Sequence, residues 1–164
     1  MLNIVLLEPE IPENTGNIAR MCVGLNATLH LIRPYGFFLN DRKLKRSGVD
    51  YWKHLKLVEH DSYNDFIQSI HSRNIFYLTR HGSTTPDNIA FNNKTIYFIF
   101  GKESSGIPKT ILKKNKTRTI RIPTSGNVRS LNLSNCVAIL GYEYAKQNKY
   151  QGLSLTEPHG NVLN

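Results

Sequence analysis

The run Ile120-Arg121-Ile122-Pro123-Thr124-Ser125-Gly126-Asn127-Val128-Arg129-Ser130-Leu131-Asn132-Leu133-Ser134-Asn135-Cys136-Val137-Ala138 opens as a strand and closes as a helix, with a polar loop containing a Pro and a Gly between them. In the helix, Leu133, Cys136, Val137, Leu140 and Tyr144 recur at helical spacing, so one face is expected to pack on a core and hold the loop above it. A strand-loop-helix joint leaves unpaired main-chain N–H groups at the helix start. Ser130, Asn132 and Ser134 add short polar side chains beside them. Such a joint can bind a ligand, although Ser130 taken alone reads equally as a helix cap.

Two more loops of the same kind lie upstream. Phe100-Gly101-Lys102-Glu103-Ser104-Ser105-Gly106-Ile107-Pro108 follows the strand-like run Thr95 to Phe100. Glu8-Pro9-Glu10-Ile11-Pro12-Glu13-Asn14-Thr15-Gly16-Asn17-Ile18-Ala19-Arg20 follows the apolar run Asn3 to Leu7. The first leads into a helix expected over Pro108 to Lys114, with Pro in its first turn. The second leads into a helix expected from Thr15 to about Leu25, with Ile18, Cys22 and Leu25 facing a core. Arg20 lies ~200° around that helix from Ile18 and points away from the core, as a solvated charge or as a group free for a substrate.

Further strands are expected at Thr28 to Ile32, Leu55 to Glu59, Asn74 to Thr79 and Thr117 to Ile122, with a helix over Ser62 to Ile70. Strands alternating with helices argue for an α/β fold with a largely parallel sheet. Asn40 to Ser47 reads as a short helix carrying Arg42, Lys43, Lys45 and Arg46, a wet face or a phosphate-binding one. Tyr51 and Trp52 follow, suited to stacking on a base or to core packing. No G-x-G-x-x-G fingerprint follows the first strand, which disfavours a Rossmann-type site.

Three loops, each after a strand and before a helix, resemble the signature motifs of the SPOUT class of RNA methyltransferases. More narrowly they resemble the small single-domain enzymes that methylate the ribose 2′-oxygen of the tRNA wobble nucleotide, cytidine or uridine 34. The resemblance covers Met1 to about Gln147. It implies a six-stranded sheet flanked by helices with a C-terminal trefoil knot, a homodimer, S-adenosyl-L-methionine as methyl donor and the tRNA anticodon stem-loop as partner. It also implies a cofactor site at Leu78, Gly101, Ile122, Ser130 and Leu131, and essential polar residues at Asn14, Arg20, Glu103 and Asn132. Tyr142 and Arg129 are carried over as dimer or substrate contacts. Each residue has a plainer reading beside this one: Leu78 and Tyr142 as packing residues, Glu103 as a carboxylate that orders its loop through backbone N–H groups. The sequence departs from some relatives at Lys102-Glu103-Ser104-Ser105, where they carry Pro-Glu-Thr-Arg, and at Cys136, where Ala is common.

Composition agrees with an RNA partner. The chain has 164 residues and a formal net charge of +9, which favours a polyanion over an acidic small substrate. One domain over residues 1–148 with a flexible tail over 149–164 is expected, too short for a separate RNA-binding domain. Cys22 and Cys136 lie in apolar helical patterns, as reduced buried thiols would in a cytoplasmic protein. No metal site, secretion signal or membrane span is suggested. Two rivals remain: a 2′-O-methyltransferase for another tRNA or ribosomal RNA site, and a basic RNA-binding protein of the same fold without catalysis.

Overall fold

The computed structural model describes residues 1–37, 51–72, 74–92 and 95–157. Among them, six strands form one parallel sheet: β1 (Leu2–Leu7), β2 (Thr28–Ile32), β3 (Lys56–His60), β4 (Ile75–Leu78), β5 (Ile96–Phe100) and β6 (Thr119–Ile120). The longer helices are α1 (Pro12–Gly24), α2 (Tyr63–Ser69), α3 (Lys109–Lys114) and α4 (Leu133–Gln147). The segment expected as a basic helix, Asn40 to Ser47, lies outside the described residues, as does the end of the tail from residue 158.

The strand order is β3-β2-β1-β5-β4-β6. All six residues of β1 and all five of β5 are buried, as central strands covered on both faces must be. Successive side chains alternate between faces. Leu2, Ile4 and Leu6 join α1 and α4 residues such as Ile18, Cys22, Val137 and Leu140 in one core. Val5 and Leu7 join Phe66, Tyr77 and Ile99 in a second core on the opposite face, with Ile111 and Leu112 of α3 against it. The chain runs outward from β1 to β3 on one side and occupies β5, β4 and β6 on the other. A crevice is therefore expected at the carboxyl ends of β1 and β5, where the order reverses.

Three boundaries differ from the sequence reading. Helix α1 begins at Pro12 rather than Thr15, because a proline fixes its own φ near the helical value and loses nothing by lacking an N–H in the first turn. The sixth strand is two residues long instead of six, since Lys116–Arg118 form a 3-10 turn before it and Pro123 has no N–H to extend it. The helix α4 is capped by Asn132, whose side-chain oxygen accepts from Ser134 N–H at 2.8 Å, and not by Ser130. Helix α2 matches closely: Ser62 caps it by accepting from Asp65 N–H (3.1 Å) and donates back to the Asp65 carboxylate (2.7 Å).

The short β6 is gripped on both sides. It pairs with β4, while the loop that follows β4 folds over it. Thr79 N–H donates to Ile120 O (2.9 Å), and Arg121 N–H donates to Thr84 O (2.8 Å). A Cβ on Gly82 would sit 2.3 Å from the carbonyl carbon of Ile120. Only a glycine allows two backbones to come this close.

Beneath the sheet, three polar residues are buried together on β1, β2 and β3. Asn3 donates to Ile96 O (3.0 Å) and contacts His30 Nε2 (3.2 Å), and His30 Nδ1 contacts His60 Nε2 (3.0 Å). The two rings stack with centroids 5.2 Å apart. Burial first, then the neighbouring His60, pushes the His30 pKa down to about 4, and burial lowers that of His60 as well. In the unfolded chain both titrate near 6.5. Stability from this pair is therefore fully present above about pH 6.5 and declines as the pH falls toward 4. The slope is up to ~1.4 kcal/mol per pH unit for each proton that only the unfolded chain binds. Denaturant titrations between pH 7.5 and 5 should show the loss, and His30→Asn should flatten it. An equal slope in that variant would assign the pH dependence elsewhere.

Candidate functional site

The carboxyl ends of β1, β4, β5 and β6 open into one cleft of about 600 Å³, within the ~300–1,000 Å³ common for small-molecule sites. Its wall brings together Asn14, Leu78, Gly101, Glu103, Ile122, Arg129, Ser130, Leu131 and Asn132. These residues come from four separate segments of the chain. Arg20 and Tyr142, also singled out from sequence, are not on this wall. Arg20 is exposed on α1, with its guanidinium carbon 6.0 Å from the centre of the Tyr51 ring, and Tyr51 donates to Gly16 O (3.0 Å). Tyr142 is 56% exposed on the outer face of α4.

The first and second loops are cross-linked by two carboxylates. Glu10 accepts from Ser104 N–H (2.9 Å) and Ser104 Oγ (2.8 Å), bonds that hold its pKa below the usual carboxylate value. In return Glu103 accepts from Glu10 N–H (2.9 Å), Ile11 N–H (3.3 Å) and Asn14 Nδ2 (3.0 Å). Lys102 pairs with Glu8 at 2.6 Å, and the bond raises the lysine pKa. Glu8 itself has φ 51, in the left-handed region that a non-glycine residue enters at a cost, and its N–H is tied to Ile32 O (2.9 Å).

From Glu103 the polar chain continues into the third loop. Asn14 is 6% exposed. It donates through Nδ2 to Glu103 and accepts through Oδ1 from Asn132 Nδ2 at 3.0 Å, while Asn132 Oδ1 accepts from Ser134. One buried amide thus aligns all three loops. Both oxygens of Glu103 are engaged by N–H donors, which makes it a group that shapes the loop rather than a free proton acceptor.

The third loop offers the opposite: main-chain groups without partners. After Arg121, no main-chain N–H from Ile122 to Leu133 is engaged by another group among the described residues. Apolar side chains stand near them: Leu78, Phe100, Ile107, Leu112, Ile122 and Cys136. Burial pushes the Cys136 thiol pKa up, so it packs as a neutral wall. Exposed main-chain donors over an apolar floor can hold a nucleoside by its ring and hydroxyl edges. The turn after β5 is tight, since a Cβ on Gly101 would meet the Gly106 carbonyl carbon at 2.2 Å.

Sequence reasoning did not name Thr79, Arg80, His81, Lys109, Arg121 or Thr124 on the cleft wall. Their signal was positional, because Thr79 to His81 and Arg121 directly follow strands whose carboxyl ends must line a crevice. Among the described residues there is no group of three or more metal-ligating side chains, and no helix is long and apolar enough to cross a membrane.

The profile of the SpoU rRNA Methylase family matches residues 1–142. A protein of Mycoplasma genitalium, provisionally named tRNA (cytidine(34)-2′-O)-methyltransferase, is 49% identical over 157 residues, covering 93% of this chain and 95% of its own. A solved structure described as giving structural insights into the 2-OH methylation of C/U34 on tRNA superposes with TM-score 0.82 at 42% identity, covering 90% of this chain and 95% of that one. The SpoU methyltransferase AviRb from Streptomyces viridochromogenes, solved in complex with AdoMet, shares the fold alone at 22% identity, TM-score 0.80, covering 93% of this chain and 59% of that one.

Replacing Asn14 should test the polar chain directly. Asn14→Ala leaves the amide of Asn132 and one oxygen of Glu103 without their partner and should cost about 1–3 kcal/mol. Asn14→Asp should cost more, because it sets a second carboxylate against Glu103. Unfolding titrations of the two variants give the order, and the reverse order would mean that Glu103 is not held as described.

Proposed function

Because the chain belongs to the SpoU rRNA methylase family, we propose that it transfers a methyl group from S-adenosyl-L-methionine to the ribose 2′-oxygen of the tRNA wobble nucleotide, cytidine or uridine 34. The observation that carries this reading is the cleft. Main-chain donors of the third loop lie over apolar side chains, with an amide chain from Asn132 through Asn14 to Glu103 at one edge. This donor set fits an adenosine and an amino-acid moiety. Leu78, Gly101, Ile122, Ser130 and Leu131 would hold the cofactor, which supplies an electrophilic sulfonium methyl when bound.

The remaining steps fall to the chain's own residues. The apolar wall keeps water from the methyl group, and the ordered loops fix where an incoming hydroxyl stands. Asn132 bridges the cofactor loop and the substrate side. Arg20, outside the cleft wall, serves the RNA rather than the cofactor. A guanidinium stays protonated in proteins and cannot accept the hydroxyl proton. It can bind a phosphate or stabilise a developing alkoxide while the proton passes to water or a phosphate.

Three finer features belong to the same proposal. The chain after Arg121 passes through the loop that follows β4 to form a trefoil knot; the grip of residues 79–84 on 119–121 supports this. A second copy covers the outer face of α4, where Ile139 and Tyr142 are 40% and 56% exposed. The protein works in the cytoplasm, which suits its two buried free thiols.

The reading is tested by mapping 2′-O-methylation in tRNA from cells with and without the gene. Loss at nucleotide 34 supports it, while an unchanged nucleotide 34 with a loss elsewhere would move the substrate to another RNA site. Isothermal titration with S-adenosyl-L-methionine separates an enzyme from a binding module, which would give no stoichiometric heat. Arg20→Lys should lose most turnover, on the order of tenfold or more, and keep cofactor affinity, since lysine lacks the planar fork. Cofactor affinity falling in step with turnover would refute the role given to Arg20.

A further inference from the structure

Between Glu103 and Glu143 the chain contains no acidic residue, yet it carries Lys109, Lys113, Lys114, Lys116, Arg118, Arg121 and Arg129. Seven of the nine net positive charges therefore come from these 39 residues, and the rest of the chain is close to balanced. All seven side chains are exposed. Lys109, Arg121 and Arg129 stand on the cleft wall beside Arg80 and His81. Lys113 lies one helical turn beyond Lys109 on the same side of α3, and Lys116 and Arg118 continue in the 3-10 turn that follows. The strip leaves the cleft at Lys109 and extends on the order of 15 Å along these elements.

Folding does not account for the arrangement. Cations in the last turn of a helix complement its dipole, which suits Lys113 and Lys114. Lys109, however, is the first residue of α3, where the dipole opposes a cation, and no acidic residue stands in that turn. Among the described residues, no carboxylate lies within ion-pairing distance of Lys109, Lys113, Lys114, Lys116, Arg121 or Arg129. The 3-10 turn is nonetheless held in place. Ser83 Oγ and Thr119 Oγ1 both donate to Lys116 O, at 3.2 and 2.8 Å.

We propose that this strip, from the cleft rim through Lys109 and Lys113 to Lys116 and Arg118, is the surface along which the RNA sugar-phosphate backbone lies while one of its riboses is presented to the cleft. The inference rests on the reading of the protein as an RNA 2′-O-methyltransferase and adds where the polyanion is held. Phosphate contacts of this kind fix register without reading sequence, so they position any RNA with the right backbone path and leave the choice of nucleotide to the cleft.

The test compares two double variants with the same change in net charge. Lys113→Gln/Lys116→Gln neutralises the strip. Lys56→Gln/Lys149→Gln neutralises two exposed lysines elsewhere, one of them on β3 at the opposite edge of the sheet. Each protein is titrated with bulk tRNA at several salt concentrations and separately with S-adenosyl-L-methionine. The strip variant should bind tRNA roughly tenfold more weakly near 0.1 M salt, with a log–log salt slope shallower by about one to two units. Its cofactor affinity should be unchanged, and the control should move less than about twofold. Equal losses in the two variants, or no loss in the strip variant while the unaltered protein binds and methylates tRNA, would overturn the assignment and leave the enzyme reading standing. If the unaltered protein neither binds nor methylates tRNA, the enzyme reading fails and the strip falls with it.

Discussion

The exchange of carboxylates between the first two loops is the constraint on which the site depends. β1 and β5 are neighbours, and their register brings the loops at their carboxyl ends side by side. Side by side they would still be two independent polar segments. Glu10 reaches across to Ser104, and Glu103 reaches back to the main chain of Glu10 and Ile11. Each carboxylate accepts N–H groups that the turn cannot satisfy internally, and charge-assisted bonds of this kind are among the stronger ones. Ordering the two loops fixes Asn14, and Asn14 fixes Asn132 at the head of the last helix. The cleft wall is thus set by hydrogen bonds at its edge as much as by the apolar floor beneath it.

That arrangement separates two tasks that one small domain must perform. Groups able to hold a nucleoside by its edges face the cleft, and they are mainly backbone. Cations able to hold phosphate are kept on the rim or beyond it, Arg20 among them. Glu103, which from its type and loop reads equally as an acid-base group, is saturated by donors and orders the loop instead. A carboxylate with three N–H partners gains nothing by moving toward a substrate proton, because it would leave those partners bare.

Much of this was legible in the chain. The apolar runs at Asn3 to Leu7 and Thr95 to Phe100 read as buried strands because parallel central strands carry no polar alternation. Ser62 with Asp65 announced the start of α2 through the usual reciprocal cap. The cleft residues could be named from three loops in equivalent positions, but the link joining them could not. Nothing in local sequence pairs Glu10 with Ser104 or Asn14 with Asn132, which lie 94 and 118 residues apart. The same holds for Asn3, His30 and His60, where the only hint was a polar residue inside each strand. The early start of α1 was available in Pro12, had the proline been taken as the first helical residue rather than as the end of a loop. The short sixth strand was hidden because Thr117 to Ile122 has good strand composition. The limit comes from the loop after β4, which folds over it.

That overlap also explains why so short a strand suffices. Two paired residues would be a marginal sheet edge if β6 were held by β4 alone. Here Ile120 is completely buried, and the backbone on either side of it is bonded to Thr79 and to Thr84. The glycine at position 82 lets the covering loop come into contact with the strand backbone, so the close approach and the hydrogen bonds form together. Residues 122–133 can then leave the sheet with their main-chain groups unspent, because the anchor lies wholly upstream of them. A longer sixth strand would hydrogen-bond those same groups into the sheet and take from the cleft the donors that suit it to a nucleoside.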